Sequence, residues 1–128
     1  MNWLLTLYSF YFVLLAVSVG LYAADFSLEG AGSVVGIVSA HFVAGTVQYL
    51  RTNVTLQKRY SQPENLLADL MLSAALVFGI LSVIDPCRIE WYYSAFTLAL
   101  VGNTFCVVGH LRKTPEDYVA VRAWPFEI

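Results

Sequence analysis

Three stretches of this chain, Trp3–Ala24, Gly30–Leu50 and Trp91–Leu111, carry no formal charge from end to end. Each reaches the length of about 20 residues that a helix needs to cross a bilayer's hydrocarbon core. A fourth stretch, Leu66–Ile84, is interrupted only by Asp69. Inside lipid every backbone N–H and C=O must find its partner within the segment, so runs of this kind become helices. The sequence therefore predicts an all-α fold, an integral membrane four-transmembrane-helix bundle with short loops. It forms a single domain over residues 1–128, with spans at about 3–24, 30–50, 63–84 and 87–111 and a tail over 112–128.

Composition supports a chain designed for lipid. Charged residues make up 12% and hydrophobic residues 59%, where a soluble domain carries about 25% charged. Seven Lys plus Arg stand against nine Asp plus Glu, a net charge of −2. Nucleic acid is excluded as a partner, because it requires a broad basic surface.

The ends of the runs carry stop and start chemistry. Ser61-Gln62-Pro63-Glu64 has the form of a capping box, and Asp85-Pro86 that of an N-cap followed by proline at the first helical position. Spans three and four should thus form a hairpin turning over 84–87. Thr114-Pro115 repeats the signal and predicts a short C-terminal interfacial helix to about Val121, with Ala123-Trp124-Pro125-Phe126 lying on a membrane surface or a partner.

Basic residues set the expected orientation, since basic loops resist translocation. Arg51, Lys58, Arg59, Arg112, Lys113 and Arg122 share one side, and only Arg88 lies opposite. Both termini are expected on the cytoplasmic side, or on the matrix side of an organellar inner membrane. The first run reads as an uncleaved span, with no basic residue ahead of it and no small-x-small cleavage pattern. The sequon Asn53-Val54-Thr55 falls in the inward loop and is expected to stay unmodified.

Helices in lipid associate through small residues that let backbones approach. Gly32, Gly36, Ala40 and Ala44 recur at four-residue spacing along the second span as a packing groove, and Gly79 and Gly102 sit in comparable stripes of the third and fourth. Aromatic residues near the ends (Trp3, Tyr22, Tyr49, Tyr60, Trp91, Tyr92, Tyr93, Trp124) read as headgroup anchors.

Intramembrane polar groups are costly and are the first places to look for function. They are His41, Asp69 and Asn103, with Gln48, Thr104 and His110 nearer to bland roles. Asp69 is expected in an ion pair with Arg51, Lys58 or Arg59. Gln48 and His110, close to their helix ends, are expected to reach toward headgroups. Asn103 and Thr104 read as a clasp to a neighbouring helix. His41 has two readings: a neutral ring bonded across the bundle, with Asn103 as the natural partner, or a cofactor ligand binding haem with a second ligand from another subunit. His110 cannot share an iron with it, because their depths differ by roughly 10 Å.

Catalytic constellations are missing: no nucleophile with its base, no glycine-rich phosphate loop, no metal-binding cluster. Cys87 and Cys106 are too far apart along the chain to pair. The chain is therefore expected to be no enzyme, to hold no metal or resident cofactor, and to act as a non-catalytic accessory subunit of a larger membrane complex, with the lipid bilayer and other membrane subunits as partners. In kind, it resembles the small accessory and anchor subunits of respiratory and ATP synthase complexes, which favours the mitochondrial inner membrane. Two alternatives compete, a membrane anchor bearing haem b or quinone and a small oligomeric transporter or channel. The choice turns on which face of its helix His41 occupies.

Overall fold

The computed structural model describes residues 3–50 and 59–112. Over these the chain forms α1 (Trp3–Ala23), α2 (Ser27–Leu50), α3 (Pro63–Ile84) and α4 (Ile89–Leu111), with no strand among the described residues. All four helices are long and apolar enough to cross a membrane. The expected C-terminal helix, the sequon and the cations Arg51, Lys58, Lys113 and Arg122 lie outside the described residues.

Helix ends differ from the sequence expectation in instructive ways. α1 stops because Asp25 adopts a left-handed φ of 69°, which lets the Phe26 N–H reach back to the Leu21 carbonyl at 2.9 Å. That bond closes a Schellman-type end, and α2 restarts at Ser27, ahead of the expected Gly30. The capping box at Ser61 is not the cap of α3: proline at the first helical position makes Gln62 the N-cap, with no side-chain cap bond, and Glu64 pairs with Arg112 instead. Nor does Asp85 start α4. Its N–H caps the end of α3 on Leu81 at 2.9 Å, and its carbonyl accepts from the Arg88 N–H at 3.1 Å. The Asp-Pro-Cys-Arg tetrapeptide is thus spent as a turn, and α4 begins at Ile89.

Short connections make sequence neighbours antiparallel. α3 packs most closely on α4, α2 lies between α1 and α3, and α1 closes against α4, while α1 and α3 sit across the diagonal without approaching. Tyr11, Leu15, Val34, Val38, Leu72 and Tyr92 fill the centre. Ala31, Ala75, Ala95 and Ala99 let the helices come close around them.

Small residues do what lipid requires, but not always on the inside. A Cβ on Gly102 would meet the Leu72 side chain at 2.9 Å, and one on Gly79 would meet Val35 at 3.0 Å. Gly32 and Gly36, in contrast, are exposed with nothing within 4 Å. Ala44 is buried and Ala40 half-buried. The stripe of four is split because a four-residue step advances about 400° around a helix, so each step drifts by about 40° and the whole stripe rotates by about 120°. α2 therefore turns Val34, Val38, His41 and Ala44 inward and Gly32, Gly36 and Ser39 outward.

The end of the bundle at the two short turns is clamped by a polar chain. The Ser18 hydroxyl donates to the Gly30 carbonyl at 2.8 Å. With that proton committed, the Tyr92 hydroxyl donates to Ser18 Oγ at 2.9 Å. Tyr22 stacks on Tyr92 with ring centroids 3.8 Å apart, and its own hydroxyl donates to the Pro86 carbonyl at 3.0 Å. Tyr92 is fully buried, a core residue and not the headgroup anchor its position suggests.

A candidate polar site between the second and third helices

The opposite half of the bundle collects the polar residues. His41 points inward and is 6% exposed. Its ring lies against Tyr11, centroids 4.2 Å apart, and stacks on Tyr8 at 5.7 Å. Asn103 comes in from α4, fully buried, and its amide nitrogen donates to the Tyr8 carbonyl at 3.0 Å, tying α4 to α1. Among the described residues neither His41 Nε2 nor Asn103 Oδ1 has a hydrogen-bond partner, so the bond expected between the two side chains is not made.

Asp69 sits one layer nearer the loop. Arg59 donates to its two carboxylate oxygens at 3.2 and 3.4 Å, and the Tyr60 hydroxyl donates at 2.7 Å. Arg59 is itself positioned by Asn65, whose amide nitrogen donates to the Arg59 carbonyl and to Gln62 Oε1, both at 2.9 Å. Burial works against the guanidinium charge, but Asp69 beside it outweighs burial and holds the Arg59 pKa above its ordinary value. The Tyr60 phenol is also raised, first by its hydrogen bond to Asp69 and then by burial.

These groups border one cavity of about 280 Å³. His41 and Tyr8 form its inner end, Arg59 and Asp69 its polar wall, and Phe42 and Leu72 its apolar flanks. Thr46, Tyr49, Tyr60 and Ser73 are exposed at its mouth. The sequence marks His41, Asp69 and Asn103 singly; the fold brings His41 and Asp69 to one space and leaves Asn103 just behind it.

Other polar residues fall elsewhere. Gln48 and His110 are 6% and 7% exposed, buried rather than reaching for headgroups. The His110 ring meets Tyr8 edge-on at 6.2 Å, so Tyr8 packs against both histidines. Among the described residues no group of His, Cys, Asp and Glu gathers to hold a metal ion. Cys87 and Cys106 are not joined by a disulfide. Thr104 spends its hydroxyl on the Leu100 carbonyl of its own helix.

Arg59 is the ion-pair partner of Asp69 that the sequence expects among its three candidates. Tyr60, Tyr8 and Gly45 are the site residues that pattern reading passed over: Tyr60 reads as an anchor, and only the fold brings its hydroxyl to Asp69. Comparison with protein-family models, with curated proteins and with solved structures finds no match.

Proposed function

We propose that this chain is an integral membrane protein that serves as a non-catalytic subunit of a larger membrane assembly, with both termini on the cytoplasmic or matrix side. The observation that carries the reading is the outward face of α2. Gly32 and Gly36, one turn apart, leave bare backbone on the outside of the bundle, with nothing within 4 Å of a Cβ built there. In lipid a small-xxx-small face of this kind favours close approach of another helix. The bundle does not need that face, because its own contacts use Gly30, Gly79 and Gly102. An energy-transducing inner membrane is the setting suggested by the likeness in kind to accessory subunits.

Gentle detergent extraction followed by native-gel mass spectrometry tests the subunit reading. Co-migration with a large complex is expected, and Gly36→Leu should release the chain from it without lowering its own unfolding temperature. A lone monomer or a homo-oligomer in the native extract rejects the reading. Orientation is tested at Cys87, which is exposed at the α3–α4 turn. A membrane-impermeant maleimide should label it from the side opposite the termini.

A further inference from the structure

Bundle packing leaves the cavity between α2 and α3 unexplained. Gly45 lies on its wall with nothing within 4 Å of a Cβ position, so one ordinary side chain would fill space that the fold keeps open. At about 280 Å³ that space has room for a cluster of water molecules, each of which occupies about 30 Å³ of liquid.

What fills a cavity follows from its walls: apolar walls stay dry, whereas polar ones hold water that bonds to them. These walls both accept and donate. Thr46 and Ser73 have given their protons to backbone carbonyls at 2.8 and 2.7 Å, and Tyr60 has given its proton to Asp69. Their oxygens and the carboxylate are therefore acceptors. The Arg59 guanidinium donates, and the Tyr49 hydroxyl does either. Water donates and accepts from one atom, so it meets both halves of the lining. Charge argues the same way. The pair of Arg59 and Asp69 borders the cavity with 20% and 24% of its side-chain surface open, and charged groups within membrane spans face the bundle interior or a water-filled space.

Placement supplies the route. Tyr49 and Tyr60 stand exposed at the mouth, and Tyr49 is next to the last residue of α2, where a span meets water. Inward, His41 lies nine residues before Leu50 and Ser73 ten past Pro63, roughly 14–15 Å along each helix. That depth is half of a hydrocarbon core of about 30 Å. Beyond His41 the buried Leu15, Val34 and Val38 close the bundle.

We infer that the cavity is an aqueous vestibule, filled from the α2–α3 loop side, that brings water and small hydrophilic solutes past Arg59 and Asp69 to the middle of the bundle. Among the described residues it ends there, so it gives access from one side. The inference rests on the membrane-spanning reading and is independent of the subunit reading, which uses the opposite face of α2.

Cys106 reports on the vestibule, because it lines the cavity from α4 and is the one thiol left in Cys87→Ser. Methanethiosulfonates attack thiolate, the form that water supports. The full-length Cys87→Ser chain in lipid nanodiscs is treated with the quaternary, membrane-impermeant 2-(trimethylammonium)ethyl methanethiosulfonate and, separately, with the lipophilic N-phenylmaleimide, and modification is followed by intact mass. The cationic reagent is expected to modify Cys106 in the folded chain. Gly45→Leu should slow that reaction at least about tenfold with no loss of thermal stability, and Ser73→Leu, at the mouth, should act in the same direction. Gly36→Leu, on the opposite face of α2, should leave the rate unchanged. A Cys106 that resists the cationic reagent would overturn the inference, and reaction with N-phenylmaleimide alone would give the cavity to lipid. Equal rates in the parent and in the folded Gly45→Leu and Ser73→Leu variants would overturn it too. In sealed liposomes the cationic reagent should reach Cys106 from the side opposite Cys87, and reaction of Cys106 from the Cys87 side would overturn the route. Labelling of Cys87 by itself reports on the spanning reading, so the two fail separately.

Discussion

Ser18 and Gly30 meet with no room to spare: the Ser18 hydroxyl reaches the Gly30 carbonyl at 2.8 Å, and a Cβ on Gly30 would come within 2.9 Å of the Ser18 carbonyl oxygen and of the Tyr22 backbone nitrogen. Because backbone atoms cannot step aside as a flexible side chain can, Gly30→Ala should force α1 and α2 apart. The cost expected of such overpacking is about 1–3 kcal/mol. Gly32→Ala is the control, since open space surrounds that position and alanine favours helix by up to about 1 kcal/mol. Thermal unfolding in mild detergent should separate the two, with Gly30→Ala melting lower and Gly32→Ala no lower than the parent.

Two ion pairs of similar appearance should differ in worth. Arg88 and Glu90 pair at 2.7 Å with both side chains more than half exposed, and Arg88 also lies over the Trp91 ring. Water competes for such a pair, so Arg88→Ala is expected to leave stability almost unchanged. Glu64 is buried, and Arg112 is its ionic partner. Removing Arg112 leaves a buried carboxylate uncompensated, a cost of about 3–5 kcal/mol for a fully buried pair that the exposed arginine reduces to about 1–3 kcal/mol. Chemical unfolding of Arg112→Ala and Arg88→Ala side by side checks the order. Glu64→Gln should recover part of the Arg112→Ala loss.

The helices were legible because lipid allows a long uncharged run only one backbone solution. Their ends were less so. Ser61 and Asp85 carry ordinary cap signals, yet Pro63 shifts one cap to Gln62 and the four-residue turn consumes the other. Position along a helix also misled: Tyr92, Gln48 and His110 lie near ends where aromatic and polar residues usually meet headgroups, but all three turn inward. Facing is set by rotation about the helix axis, and four-residue spacing drifts too far to report it over three turns. The cavity was illegible for a different reason. It is made by residues from every helix and by Arg59 and Tyr60, and its defining feature, the open space at Gly45, is a relation between neighbours that no single position records.

Tyr60 supplies a pH-dependent readout of the site. Its phenol titrates above the ordinary value of 10.0, chiefly because it donates to Asp69 and also because it is part-buried. A raised folded-state pKa means that the folded chain holds this proton more tightly than the unfolded chain does, so the stability it contributes is present below about pH 10 and is lost as pH rises through the folded value. Ultraviolet titration of tyrosinate in the detergent-solubilised chain should therefore show a late component from Tyr60, beside those of the buried Tyr11 and Tyr92, that is told apart by its dependence on Asp69. That component should move down in Asp69→Asn and vanish in Tyr60→Phe. A late component that persists unchanged in Asp69→Asn would assign it to another tyrosine.

Asn103 poses the sharpest question of what the polar half of the bundle is for. Its nitrogen donates to the Tyr8 carbonyl at 3.0 Å, a bond between helices that is worth about 0.5–2 kcal/mol in lipid. Its oxygen is buried without a partner, and an unsatisfied buried acceptor costs about 1–3 kcal/mol. The Tyr8 carbonyl, deep within α1, keeps its place in the helical ladder whether or not Asn103 is present. On these magnitudes the apolar near-isostere Asn103→Leu should be no less stable than the parent, and more stable by up to about 1 kcal/mol if the leucine packs well. Thermal unfolding decides the matter: a loss above about 2 kcal/mol would mean that Oδ1 is satisfied and Asn103 is chiefly a structural clasp. Unchanged or raised stability would mean that the bond to the Tyr8 carbonyl does no more than offset the cost of the unpartnered oxygen.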